Sequence, residues 1–232
     1  MIKNIKKILK QIIINRFLAK LLIKPLLYAH SFSYKWSGIY AGVLNDGVHP
    51  KHNIMKYKEW FLDQIQDGWT VLDIGCNTGM MSLLLAEKAS FVYGIEINES
   101  NLKTAIENNN KSNIKYLCAD ATSYNYNSCK PIDCVIMSNV LEHIENRVDF
   151  LRKLLNQVKW NDDSKKRFLI RLPMINREWI VLYKKSLNID YRLDPGHYTE
   201  YTFEQLTNEL HDAGIKVVKH EIRFGEIYAI CE

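Results

Sequence analysis

The sequence is short of several things that would have fixed its class at once. Its five cysteines, Cys76, Cys118, Cys129, Cys134 and Cys231, are odd in number and contain no C-x-x-C pair. That excludes a disulfide framework, argues against a zinc ribbon and favours a reduced, cytoplasmic protein. Acidic residues are missing from positions 1 to 35, where Lys3, Lys6, Lys7, Lys10, Arg16, Lys20, Lys24 and Lys35 give +8. The total is +5, so the remainder carries −3 and the basic character belongs to an N-terminal arm. No apolar run in that arm escapes a lysine or arginine for long, which excludes a spanning helix and a signal peptide. Internal repeats and low-complexity tracts are absent too.

What is present centres on Trp69 to Ser82, W-T-V-L-D-I-G-C-N-T-G-M-M-S. Thr70 to Ile74 reads as a buried parallel strand and residues 79 to 89 as a helix, with Gly75-Cys76-Asn77-Thr78-Gly79 turning between them. Glycines at both ends of the turn permit a sharp bend and close approach of a ligand, and the amides of the following helix are expected to face it. The G-x-G-x-x-G fingerprint of dinucleotide sites is not met. Asp73, at the strand end, would oppose a pyrophosphate and suits a cationic ligand.

Further along, strands and helices alternate: strand 91–97, helix 99–111, strand 113–118, strand 133–138, helix 146–158, strand 167–172, helix 202–213, and strands near 215–222 and 226–231. Such alternation predicts a parallel sheet with helices on both faces, and Phe224-Gly225 between the last two strands predicts a hairpin. The stretch from Ala121 to Pro131 is too short and too rich in Asn, Ser and Tyr for a crossover helix. The expected fold is therefore α/β, a seven-stranded mostly parallel sheet with a C-terminal antiparallel hairpin and an N-terminal helical arm. The expected division is 1–65 for arm and cap, and 66–232 for the main domain with an insertion at 173–201.

The glycine turn, the strand-end acids and Leu141-Glu142-His143-Ile144 together resemble the class I S-adenosylmethionine-dependent methyltransferases over about residues 66 to 232. The family's fuller loop pattern is D-x-G-x-G-x-G, and this chain has Asn77 at the central glycine, a residue that tolerates left-handed backbone. The resemblance implies S-adenosyl-L-methionine as cofactor, held by Asp73, Gly75, Cys76, Asn77, Gly79, Met80, Glu96, Ile97, Asp120, Ala121, Ser138 and Asn139. Glu96, 17 residues past Gly79, would accept from the ribose hydroxyls, with Ile97 against the adenine and Asp120 on its amine.

Open α/β sheets bind ligands beyond the carboxyl ends of their strands, which puts Ser138 to His143 beside the transferred methyl. His143 has a suitable ordinary pKa to take a proton from a hydroxyl acceptor, and His197 is the second candidate. The insertion, long for a connection and rich in bases and aromatics, suits a polar acceptor through Arg171, Arg177, Arg192 and Tyr198. Tyr40, His49 and His52 are further substrate-side candidates from the aromatic, glycine-rich segment 28–55, read as a loop-rich cap leading into a helix from about Asn53 to Gln66. No metal-ligand cluster is expected. Nucleic acid is not expected as substrate, since the chain has Ser138-Asn139-Val140-Leu141 where base-amine methyltransferases carry [N/D]-P-P-[Y/F].

Residues 2 to 27 read as a basic amphipathic helix ending near Pro25. Such a helix suits an anionic membrane surface, and its apolar face equally suits the chain's own core or a dimer mate. The expected acceptor is a small or lipid-linked hydroxyl compound, such as a sugar or cell-surface polysaccharide precursor, with N-methyl or quinone-type O-methyl transfer as the competing enzyme reading. A different class of reading is a non-catalytic binding protein that uses the arm for assembly. High Lys, Ile and Asn usage points to an AT-rich bacterial genome, and a cytoplasmic enzyme at the inner membrane face is the expected setting.

Overall fold

A computed structural model describes residues 15–162 and 165–232. The chain divides into two compact units, one holding residues up to Ile54 with Tyr183–Asp190, the other Met55–Leu182 with Tyr191–Glu232.

In the first unit a helix runs unbroken over Arg16–Val43 with Pro25 inside it, and Asn15 caps it by accepting from the Leu18 N–H at 2.8 Å. This corrects the expectation of a helix ending near Pro25 and a loop-rich cap after it. Proline removes one amide donor and crowds the carbonyl of Leu21. Both residues are exposed, so solvent can serve that carbonyl. Residues 1–14 of the expected arm helix lie outside the described residues. Within the same unit Lys184 Nζ donates to Ser31 Oγ at 2.8 Å and lies 3.3 Å from His30 Nδ1. Among the described residues no helix is long and apolar enough to cross a membrane.

The second unit is built on seven strands: β1 Thr70–Ile74, β2 Phe91–Glu96, β3 Ile114–Cys118, β4 Cys134–Ser138, β5 Arg167–Pro173, β6 Val217–Arg223 and β7 Glu226–Cys231. Their order in the sheet is β3-β2-β1-β4-β5-β7-β6. β1 to β5 pair in parallel, β7 runs against both β5 and β6, and β6 and β7 form the C-terminal hairpin. The order reverses between β1 and β4, the place where an open parallel sheet leaves a crevice at its carboxyl edge.

Period-two alternation sends the core to both faces. Leu72 and Ile74 of β1 and Val135 and Met137 of β4 pack with Phe150, Leu151 and Leu154 of the helix Arg147–Gln157 and with Leu206 and Leu210 of the helix Phe203–Asp212. Val71, Cys134 and Ile136 face the other way, onto Trp60, Phe61 and Leu85. The helix Tyr57–Gln64, assigned to the N-terminal part by the sequence reading, thus packs on the sheet through Trp60 and Phe61. Between β3 and β4 only a 3-10 turn, Tyr126–Ser128, takes the place of a crossover helix. The insertion after β5 contains a helix, Trp179–Ser186, where the sequence reading saw only a connection. All five cysteines are free.

Candidate active site

The carboxyl edge of β1 to β4 opens into a cavity of about 870 Å³, a size that fits a nucleotide-like ligand. Of the residues expected to hold a cofactor, Gly75, Asn77, Glu96, Ile97, Asp120, Ala121 and Asn139 line it, as do His143 and Tyr198.

Glycine at 75 is required on two counts: its φ is +70°, and a Cβ there would meet Val140 Cγ2 at 2.7 Å. Asn77 sits at φ 51°, the left-handed conformation that asparagine tolerates where the family pattern has glycine. The turn's own amides are already used. Gly75 and Cys76 donate to the Ile95 carbonyl, Asn77 to Glu96, Thr78 to the Asn77 side chain and Gly79 to the Cys76 carbonyl. The helix that follows is a short Met80–Leu85. The expected cradle of free amides is therefore not formed by the turn, which presents Gly75 and Asn77 to the cavity.

Glu96 is buried, with one oxygen accepting from the Asn77 N–H at 2.9 Å and the other from the Asn98 N–H at 2.8 Å. Two backbone donors fix the carboxylate at the cavity wall, and each oxygen keeps a lone pair for a ligand hydroxyl. Asp120 Oδ1 accepts from both the backbone N–H and the hydroxyl of Thr122, each at 2.8 Å, which turns the carboxylate at the end of β3. Asn139, at φ 58°, has a buried side-chain Oδ1 with no partner among the described residues. An acid that suits a ribose, an acid that suits an adenine amine and an unused amide oxygen thus share one cavity, so the residues present fit S-adenosyl-L-methionine.

Five of the expected cofactor residues lie outside the cavity lining. Asp73 is buried behind the turn, where its Oδ2 accepts from Ser82 Oγ at 2.6 Å. Burial, opposed by that bond and aided by Glu96, pushes its carboxyl up to about 7. Cys76 is buried, with Sγ 3.0 Å from the Cβ position of Gly94. Gly79, at φ +79°, ends the turn where a Cβ would strike Tyr116. Met80 points to solvent, and Ser138 Oγ accepts from Arg171 at 3.2 Å.

The substrate-side arginines are likewise engaged in structure. Arg171 is buried against Glu226 and stacks 4.1 Å over the Tyr57 ring. Arg177 pairs with Glu200 and donates to the Met174 and Tyr191 carbonyls, and Arg192 donates to the His197 carbonyl. None of the three lines the cavity. Tyr40, His49 and His52 belong to the other unit.

The two histidine candidates meet, although 54 residues separate them. Their ring centroids are 4.6 Å apart at 77°. His143 sits on the 3-10 turn Leu141–His143 after β4, and the Tyr198 N–H donates to the Glu142 carbonyl at 2.8 Å, stitching the insertion to that turn. Burial first, then the neighbouring His197, hold His143 below its ordinary range, so its imidazole is neutral at pH 7. Glu142 beside them is fully buried, which pushes its carboxyl up to about 8. No metal-ligand cluster stands out in the sequence, yet in the fold Glu142, His143 and His197 bring their ligand atoms within 4.8 Å of one another.

Residues 72–161 match the model of a family described as a methyltransferase domain. N-methyltransferase 4 of Papaver somniferum is 32% identical over 114 residues, covering 47% of this chain and 32% of that protein. A ubiquinone biosynthesis O-methyltransferase of Rickettsia bellii is 32% identical over 89 residues, covering 38% of this chain and 37% of its own length. The chain thus spans about a third of the length of these relatives. Among solved structures, a magnesium protoporphyrin IX methyltransferase from Synechocystis with bound SAH superposes with a TM-score of 0.57 at 18% identity, covering 76% of this chain and 80% of that one. An S-adenosylmethionine-dependent methyltransferase from Mesorhizobium loti gives 0.58 at 17%, covering 76% and 95%. Residues 72–161 thus match a methyltransferase domain, and the sheet that carries them has the class I, Rossmann-like fold of S-adenosylmethionine-dependent methyltransferases.

Proposed function

We propose that the chain transfers a methyl group from S-adenosyl-L-methionine to a hydroxyl oxygen of a small or lipid-linked polar acceptor, such as a sugar or a polysaccharide precursor. The observation that carries this reading is one cavity lined by Glu96, Asp120, Asn139 and His143, with His197 packed on the His143 ring. When bound, the cofactor supplies an electrophilic methyl on a sulfonium, whose departure leaves a neutral thioether. Glu96 would hold the ribose, Asp120 the adenine amine, and the Asn139 amide oxygen the cationic end. Tyr198 and Val140 line the same cavity and would help to position the acceptor. The imidazoles there promote loss of the acceptor's proton.

The histidine pair favours oxygen over nitrogen as the accepting atom. A neutral amine attacks a sulfonium before it loses any proton, so groups that promote proton loss at the acceptor end would be surplus. Calorimetry with S-adenosylhomocysteine tests the cofactor part: micromolar binding, about −8 kcal/mol, supports it, and absence of binding refutes it. A set of hydroxylated and amine acceptors, assayed for product with His143→Ala alongside, separates oxygen from nitrogen transfer.

The arm supports work at a membrane surface. From Arg16 to Val43 it contains no acid, carries Lys20, Lys24 and Lys35, and exposes Phe17, Leu21, Leu26, Phe32 and Tyr40 to solvent. Basic residues interleaved with exposed aromatics suit an anionic headgroup layer. Co-sedimentation with phosphatidylglycerol vesicles, lost on deleting residues 1–43, is the expected result; equal binding by the deleted protein refutes it.

A further inference from the structure

Glu142 poses a problem that the methyltransferase reading leaves unsolved. Its side chain is fully buried, and neither oxygen has a hydrogen-bond partner among the described residues. Buried polar groups are nearly always partnered, so an orphaned carboxyl inside a folded domain calls for a missing ligand. What lies beside it is two imidazoles, His143 and His197, with all three sets of ligand atoms within 4.8 Å of one another. An ion about 2.1 Å from each donor would be reached from this spacing by small side-chain rotations.

The surroundings are those of ligands held ready. His197 is buried, and its Nδ1 lies 3.2 Å from Glu200 Oε1. Glu200 is itself anchored, accepting from the Leu193 N–H at 2.6 Å and from Arg177. That chain fixes the ring and leaves Nε2 as the coordinating atom, the carboxylate-histidine arrangement that supports metal ligands. The Tyr198 N–H bond to the Glu142 carbonyl holds the insertion's histidine against the turn that carries the other two groups.

We propose that Glu142, His143 and His197 form a divalent transition-metal site at the acceptor end of the cavity, where the metal receives the acceptor's hydroxyl oxygen. Two nitrogens and one carboxylate suit zinc, cobalt or iron in preference to magnesium or calcium, and three protein ligands leave an open position. A hydroxyl bound there loses its proton to solvent more readily, and the metal stabilises the oxyanion that remains. The acceptor role rests on the oxygen-methylation reading; the metal site itself does not.

The test uses the untagged full chain, stripped with chelator and titrated with cobalt chloride by visible absorption and with zinc chloride by calorimetry. Neither cofactor nor acceptor is present. One equivalent is expected, with a cobalt d–d band. Glu142→Gln and His197→Ala should abolish that band, and Glu200→Gln should weaken zinc binding roughly 10–100-fold as an outer-shell change. Circular dichroism checks that each variant is folded, and Glu200→Gln keeps the test valid if a ligand variant is not. No band and no heat in the parent chain, or equal binding by all three variants, overturns the site. S-adenosylhomocysteine titrated into the same stripped protein separates the two readings: cofactor binding without metal binding sinks only the metal site. Metal binding without cofactor binding sinks the acceptor role.

Discussion

Asp73 offers the sharpest test of how the site is built. Its ordinary carboxyl value of 3.8 is pushed up to about 7, chiefly because the group is buried, with the Ser82 bond opposing and Glu96 adding to the rise. Well below its ordinary value the carboxyl is protonated in the folded and the unfolded chain alike, and it costs nothing. As pH rises from about 4 to 7 the unfolded chain ionises while the folded one does not, so stability falls. At about 1.4 kcal/mol per pH unit the loss reaches ~4 kcal/mol and is constant above pH 7. Asp73→Asn keeps an oxygen to accept from Ser82 and removes the titration. Its buried NH2 adds a pH-independent offset of about 1–3 kcal/mol, so the slope is what carries the information.

The assay is urea unfolding of parent and variant at several pH values from 4.5 to 8.5. Effects of every other titrating group cancel in the difference. The expected outcome is a gap that moves in the variant's favour by ~3 kcal/mol across that range, flattening above pH 7. A gap that stays constant, or one that moves the other way, refutes the placement of Asp73 as a buried strut behind the turn.

Three other substitutions probe the same framework. Glu96→Ala should weaken S-adenosylhomocysteine binding roughly 10–100-fold in calorimetry, the worth of charge-assisted hydrogen bonds to two hydroxyls, and unchanged affinity would remove the ribose assignment. Gly79→Ala places a Cβ 2.4 Å from Tyr116 Oη and 2.8 Å from Ala105 Cβ at φ +79°, so a loss of ~3 kcal/mol in urea unfolding is expected, combining overpacking with left-handed strain. Arg171→Met leaves Glu226 buried without its partner and should cost about 3–5 kcal/mol, while the double variant with Glu226→Gln should recover most of it. Equal stability of the single and double variants would refute that pairing.

The sheet was legible because its signals are local. Apolar runs ending in Asp73, Glu96 and Asp120 announce buried strands whose carboxyl ends carry acids, and the lack of a helix-forming stretch at 121–131 matches the 3-10 turn found there. The three acids look alike in sequence but differ in space. Glu96 and Asp120 reach the cavity, whereas Asp73 turns behind the loop toward Ser82, and side-chain direction at a strand's last residues depends on packing that no local pattern records. The engagement of Arg171 and Arg177 was hidden for a similar reason: their partners, Glu226 and Glu200, lie 55 and 23 residues away. Glu142 drew notice only as part of a motif, because its isolation from hydrogen-bond partners appears only once His197 is brought in from the far side of the insertion.

The N-terminal helix turns another misreading into a measurement. Proline inside a helix costs about 3 kcal/mol relative to alanine, which is why a helix reading stops at Pro25. Yet the helix continues for 18 residues beyond it, to Val43. Its continuation must draw on contacts farther along, and these include the buried Leu27 and the hydrogen bond from Lys184 to Ser31. If that account holds, Pro25 remains a cost that those contacts offset, and Pro25→Ala should release it. Hydrogen exchange at the amides of Leu26 to Ala29 should then slow, by up to ~100-fold if the full 3 kcal/mol appears in local opening. Lys184→Ala should speed exchange at the same amides by removing a contact that holds the segment beyond the proline. Unchanged protection in Pro25→Ala would mean that the helix opens only as one unit with the remainder of its fold, and the local account of the proline would be wrong.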